Sequence, residues 1–569
     1  MPPGDVSPHL EELRARVEEL ERRIAALENH RPAHSPNREP SEAVATTHPG
    51  QGEALSATPQ PSVFSVFGRS VLGIAGAYLL RAVAESGTLP TWISVTLALA
   101  YAAGWLVWAA WPGTQAGLAR YSYAITAALI LSPMLWEITV RFRMFGPPVS
   151  ATVLAGFALL AMTLAWRPNI SPVIWVGTLT SVITALVLMV GTRALAPFTL
   201  ALLVMALLSE FAGSRGRWPG LRPVVAAAAD FATLILIIIL GDTRAIPPEY
   251  HPVDASVMIV LVVALWSIYA VSLGIRSLIL RRKIEVLEAA QFVVAAFLAG
   301  WGVLRVTHGA GLLALGVFCL IFGAACYFTA FGLLAQRNAR PNFRFYAVCG
   351  VVFVVAGSFF ALRTTASVIW LCLAAVIATW LGVRMRSDTL DVHGVVYLCG
   401  ALFASGMLAY AGRALAGTYP PAPGALLFVA AATALLCAAM VSRYPGEHSH
   451  EQLLRLFPAI LAVYATAGLV VAGLALFIAR GAAPALPHLA VIRTIVTGAV
   501  ALLLAYVGAR RKRLELVWMA YAAAVLGSLK LAVEDLRFGN TQSLAASLLI
   551  YGAVLILIPR LVRAGRRWA

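Results

Sequence analysis

The sequence predicts an all-α, polytopic integral membrane protein of about eighteen transmembrane helices arranged as repeated hairpins. Three observations carry this. The first is composition: of 569 residues, 60% are hydrophobic and 12% charged, with a mean hydropathy of +0.82. A soluble domain is roughly 45–50% apolar and about 25% charged. The second is the recurrence of apolar runs long enough to cross a bilayer, separated by short loops. The third is the place of the basic residues. The net charge is +17, yet Arg and Lys gather at the ends of apolar runs, as membrane topology requires. Anionic lipid headgroups then provide the counter-charge, and a nucleic-acid partner is not expected.

Residues 1–29 form a charged heptad segment. Leu10, Val17 and Ile24 occupy a, while Leu13, Leu20 and Leu27 occupy d. Arg16 and Arg23 at g face Glu21 and Glu28 at the following e positions, which suits a parallel dimer. Glu12, Glu18 and Glu19 each precede an Arg by four residues and support the single helix. Three heptads are marginal alone, so a cytoplasmic coiled coil over 6–28, with self-association there, is expected to depend on tethering. The competing reading is a lone amphipathic helix. No apolar core follows a basic start, so no secretory signal is expected. Residues 30–61 hold Pro32, Pro36, Pro40, Pro49, Pro59 and Pro61 among Ser, Thr and polar residues, and read as a disordered linker.

Residues 62–569 make up the transmembrane domain. Approximate spans are 62–84, 90–110, 119–140, 149–166, 172–191, 195–213, 222–241, 255–278, 286–304, 310–335, 345–362, 366–383, 391–412, 424–442, 453–478, 488–508, 514–534 and 542–562. Pro90, Pro112, Pro147, Pro168, Pro219, Pro247, Pro420 and Pro487 mark turns. Loops after even helices carry the basic clusters: Arg215, Arg217 and Arg222; Arg281, Arg282 and Lys283; Arg510, Arg511, Lys512 and Arg513. The C-terminus adds Arg560, Arg563, Arg566 and Arg567. Loops after odd helices hold Glu85, Asp242, Glu249, Asp254 and Asp535. The positive-inside rule then puts both termini in the cytoplasm.

Nearly every outward-going helix ends in one Arg: Arg81, Arg141, Arg193, Arg244, Arg305, Arg363, Arg413, Arg480 and Arg537. The period is one helical hairpin, which suggests a membrane analogue of a repeat protein. An Arg at a helix C-terminus offsets the macrodipole and snorkels to the interface. The functional alternative is a basic outer rim that holds an anionic lipid or polymer.

Charges inside the spans are the candidate sites, because they are costly unless paired, hydrated or facing the bundle interior. The leading stretch is Lys530 to Arg537. Lys530 and Glu534 are four residues apart and share a helix face; Asp535 and Arg537 follow. Glu137 lies after Pro133, which frees a backbone carbonyl, with Arg141 one turn on. They form either an internal pair or a transport acid. Asp230 follows four alanines and is expected to face a neighbouring helix. Glu210 is within reach of Arg215 or Arg217. Glu288 suits a helix N-terminus, with Gln291 one turn on. Arg305, Thr307 and His308 form a small polar cluster. The six cysteines lie in apolar runs and read as small core residues. His448 and His450 flank Ser449 without a metal-site pattern. No metal site or cofactor is predicted.

The segment Gly68-Arg69 through Gly73 and Gly76 to Tyr78-Leu79-Leu80-Arg81-Ala82-Val83-Ala84-Glu85-Ser86-Gly87-Thr88-Leu89-Pro90, the pattern Lys530-Leu531 followed by Asp535-Leu536, and Gly552 in the last helix accompany this architecture. Together they resemble the bacterial membrane-protein family catalogued as domain of unknown function 2339. The resemblance implies the fold and the membrane location, and the Arg81/Glu85 and Lys530/Asp535 segments carry most of it. Glu534 stands as a second acid beside the Asp of that pattern, so the partner of Lys530 is open.

No P-loop, G-x-S-x-G or H-E-x-x-H sequence is present, and the loops are short. A carrier or flippase for an envelope lipid or anionic solute is the leading expectation, from the repeat and the polar groups Lys530, Asp535, Glu137 and Asp230. A scaffold or sensor oligomerising through its coiled coil comes next. A transferase on lipid-linked substrates, with Asp535 or Glu85 as base, is third.

Overall fold

The structure is a computed structural model. It describes residues 63–85, 90–111, 117–242, 244, 246–335, 340–416, 421–442, 449–479, 486–535 and 541–567, together with Glu19, Arg22 and Arg23. The chain divides into two compact units, Met1–Gln60 and Pro61–Ala569. In the first, Arg23 Nε donates to Glu19 at 3.1 Å, the four-residue spacing expected of a helix. The rest of the expected coiled coil, and the linker, lie outside the described residues.

The second unit is all-helical among the described residues. Its helices are α1 (Val63–Glu85), α2 (Thr91–Ala109), α3 (Gly117–Trp136), α4 (Pro147–Trp166), α5 (Ser171–Thr192), α6 (Leu195–Ser214), α7 (Leu221–Leu240), α8 (Ala255–Gly274), α9 (Val286–Val306), α10 (Leu312–Tyr327), α11 (Arg340–Ala361), α12 (Thr364–Met385), α13 (Asp388–Ala404), α14 (Met407–Ala416), α15 (Ala425–Val441), α16 (Ser449–Ala479), α17 (Leu486–Arg510), α18 (Leu514–Lys530) and α19 (Thr541–Arg567). Fifteen helices among the described residues are long and apolar enough to cross a membrane, or up to 16 if a bent pair counts as one. Helices are the economical solution here, since each satisfies its own backbone in lipid. The chain is thus a multi-pass membrane protein in architecture. Side chains such as Leu72, Val190, Phe297 and Leu549 point outward, as lipid-facing residues do.

Packing is serial. The closest pairs are α2 with α3, α4 with α5, α6 with α7, α8 with α9, α10 with α11 and α12 with α13, followed by α17 with α18 and α19. Core clusters follow one another along the chain in the same way, the largest running from Val66 to Val306. Small residues set the separations. A Cβ on Gly316 of α10 would meet the Ala361 backbone nitrogen at 2.5 Å, and one on Gly357 the Gly316 carbonyl at 2.8 Å. Such contact is how apolar helices associate without a hydrophobic driving force. Gly316→Val is therefore expected to cost about 1–3 kcal/mol through overpacking. A thermal scan of detergent-solubilised protein checks this; an unchanged midpoint would mean that α10 and α11 separate freely.

The helices depart from regularity at places the sequence did not signal. π-Turns follow α3 (Glu137–Arg141), α8 (Ile275–Ile279), α10 (Phe328–Leu334) and α18 (Leu531–Asp535). Each widens one turn and shifts which side chains share a face, and such turns are frequent at functional sites. The span expected over 391–412 is two helices, α13 and α14, bent by 70° at Ser405-Gly406, where Gly406 has φ +73. Arg143, Arg193, Arg281, Arg386 and Lys512 take left-handed backbone, with φ of 52, 56, 53, 50 and 53. Each stands just beyond a helical segment. Its charge offsets the helix dipole where glycine would usually stand.

Candidate functional site

Lys530 is the last residue of α18, and the π-turn after it decides its partner. An ordinary turn would have faced Lys530 with Glu534, as expected from the four-residue spacing. The wider turn brings Asp535 round instead. Lys530 Nζ donates to Asp535 Oδ2 at 2.5 Å, to Thr494 Oγ1 at 2.7 Å and to the Ala490 carbonyl at 2.6 Å. Glu534 lies at 3.8 Å. Ser547 of α19 donates to the other Asp535 oxygen at 2.7 Å. Glu534 turns to Arg493 of α17, with which it forms a short ion pair. Arg493 also donates to the carbonyls of Ala414, at 2.6 Å, and Arg413, at 3.2 Å, and so ties the last turn of α14 to the C-terminal helices.

This set balances two cations against two carboxylates. An ammonium has three protons to give, and Lys530 gives all three. Asp535 is 1% exposed and the Arg493 side chain 3%. The charges of the expected ion-pathway site thus lock to one another, and Asp535 accepts from Lys530 and Ser547. Arg493 was not singled out from the sequence. The available signal was an Arg inside the run 488–508, in the position where a charge needs a partner.

Glu137 sits in a different setting. It opens the π-turn after α3 and pairs with Arg81 of α1 at 2.8 Å. The expected Glu137–Arg141 pair does not form, because the widened turn carries Arg141 off that face; its guanidinium lies 5.6 Å from the Phe142 ring centre. Arg81 and Glu137 stand at the mouth of a groove of about 210 Å³ between α1, α2 and α3. Ile74, Val95, Leu129 and Met134 make its walls, and Pro133 removes one backbone donor beside it. Ser94 also lines it. This serine is 8% exposed, and its hydroxyl has no hydrogen-bond partner. Tyr78 and Leu129 at its edge are exposed, so the groove opens on the lipid-facing surface.

A third polar set links α6 to α9. Arg222 holds Glu210 through two bonds, 2.9 and 2.7 Å, and reaches Glu288 at 2.8 Å. Arg276 also pairs with Glu288. Ser272 donates to Glu210 at 2.5 Å. The expected partners of Glu210, Arg215 and Arg217, lie elsewhere: each stacks on an aromatic ring, Phe211 and Trp166 respectively. Their loop directs them outward, whereas Arg222 is already within the first turn of α7. Farther along α7, both carboxylate oxygens of Asp230 accept from the single amide nitrogen of Gln291, at 2.9 Å each.

No protein family, curated protein or solved structure matches this chain. The functional reading accordingly rests on its own residues.

Of the remaining candidates, Arg305 is exposed, with its stem against Gly241, and His308 lies 3.9 Å from Asp242. Arg193 of the basic rim pairs with Glu249, both exposed; such pairs contribute little. Glu85 ends α1 with its side chain outside the described residues, and Arg537 lies outside them altogether. Among the described residues, no three of His, Cys, Asp or Glu gather as metal ligands.

Proposed function

We propose that this protein is a lipid carrier or flippase of the bacterial cytoplasmic membrane, and that its binding site is the groove between α1, α2 and α3. The supporting observation is the Arg81–Glu137 pair at the mouth of an apolar groove open to the lipid-facing surface. A phosphate-bearing headgroup meets the guanidinium of Arg81, while its chain lies against Ile74, Val95, Leu129 and Met134. Ser94 supplies an unused hydroxyl inside. About eighteen spans, cytoplasmic termini and self-association through residues 6–28 belong to the same proposal. So does the likeness to domain of unknown function 2339.

A scaffold or sensor is the second reading. It is favoured by the lock around Lys530, which holds the C-terminal helices with its charges already neutralised.

Native mass spectrometry of gently solubilised protein separates the two. Wild type and the surface control Arg305→Ala are expected to retain a discrete phosphate lipid. Arg81→Ala is expected to lose it at least about tenfold, the equivalent of about 1.4 kcal/mol. A coiled-coil-dependent oligomer carrying only exchangeable bulk lipid, the same in wild type and Arg81→Ala, would replace this reading with the scaffold.

A further inference from the structure

The polar set on α6 to α9 contains one charge more than it can neutralise. Glu210 and Glu288 are matched by Arg222 and Arg276. Asp230 is left with an amide. It is the tenth of the 20 residues of α7, half-way along the helix. One Gln291 nitrogen is shared between its two oxygens, and no cation among the described residues acts on it. A bare carboxylate at that depth is costly.

The surroundings form a ladder. At the Arg-rich loop end stand Arg276, Glu288 and Arg222. Glu210 and Ser272 come next, joined by their 2.5 Å hydrogen bond. Then comes Tyr269 of α8, which is 5% exposed. Its hydroxyl lies beside the Gln291 amide and in the field of Asp230, Glu210 and Arg222. Asp230 is the last rung. A hydroxyl beside a carboxylate that no cation offsets is the arrangement in which a proton can be passed and held.

We propose that Asp230 is an intramembrane proton-binding site, loaded from the Arg-rich loop end through Tyr269 and the Glu210–Ser272 pair. Along the relay each hydroxyl accepts one proton as it gives up its own, so its O–H bond is restored, and at Asp230 one O–H bond forms on loading and breaks on release. The titratable and charged groups around it are Glu210 on α6, Tyr269 on α8, Arg276 on the π-turn after α8, and Glu288 on α9, with Arg222 on α7 itself; α5, which also packs on α7, has none. A proton suits the site better than a metal cation, because Gln291 turns its donor side to the carboxylate and, among the described residues, no second carboxylate joins it.

A hydrophobic carbodiimide tests this in the intact wild-type protein, since it adds to protonated carboxyls within membranes. Peptide mapping should find the adduct at Asp230, with the ion-paired Glu210, Glu288, Glu534 and Asp535 unlabelled. The yield should fall about tenfold for each pH unit above its midpoint and be the same in sodium and choline salts. Asp230→Asn should remove this adduct alone. No adduct at Asp230 at any pH, in protein that labels there once unfolded, overturns the proposal. Protection by sodium also overturns it, in favour of a cation site. Neither result depends on whether the α1–α3 groove holds lipid.

Discussion

Arg493→Met is expected to destabilise the C-terminal helices by about 3–5 kcal/mol, the usual consequence of removing one partner from a buried ion pair. The substitution keeps the apolar stem. It leaves Glu534 without its guanidinium and the carbonyls of Arg413 and Ala414 without a donor. Lys530 cannot make up the loss, because Asp535, Thr494 and Ala490 already occupy its protons. The double variant Arg493→Met/Glu534→Gln should recover much of the deficit, since the stranded charge is gone. Thermal unfolding of the three proteins in one detergent measures this. A single variant as stable as wild type, or a double variant no better than the single, would show that the lock does not hold these helices.

Arg222→Met should be at least as damaging. Arg222 spans Glu210 on α6 and Glu288 on α9, with its side chain only 14% exposed. Its loss strands one buried carboxylate with Ser272 alone and leaves Glu288 to Arg276. The expected cost is again about 3–5 kcal/mol or more. Arg222→Lys should fall between, because a point charge reaches one acid well but cannot reproduce the fork that holds Glu210 twice. Retention of folded protein after purification, ranked Arg, Lys, Met, is the expected result. If lysine matches arginine, the fork geometry is not what matters there.

The helices were legible because the apolar runs are long and the loops carry their charges and prolines openly. Asp230, Glu137 and Lys530 were also legible, since a charge in an apolar run declares itself. Their partners were not. Spacing rules for regular helices place Lys530 beside Glu534 and Glu137 beside Arg141; at the π-turns Asp535 comes nearer to Lys530 than Glu534 does, and Glu137 pairs with Arg81 instead. No sequence signal distinguishes such a turn from an ordinary one. Arg222 was grouped with its loop by composition, although it enters α7 at its first turn. The bend between α13 and α14 rests on a single glycine conformation at 406, within a run whose hydropathy is continuous.

The lock around Arg493 also bears on the order in which the chain can enter the bilayer. Its members come from four segments, α14, α17, α18 with its π-turn, and α19, and the acids are synthesised after both cations. When α17 emerges, Arg493 can meet the carbonyls of α14, while Glu534 lies 41 residues farther along. A guanidinium in the hydrocarbon region is costly unless it is paired. Translation of the acidic turn is therefore expected to let these closing helices settle as a group.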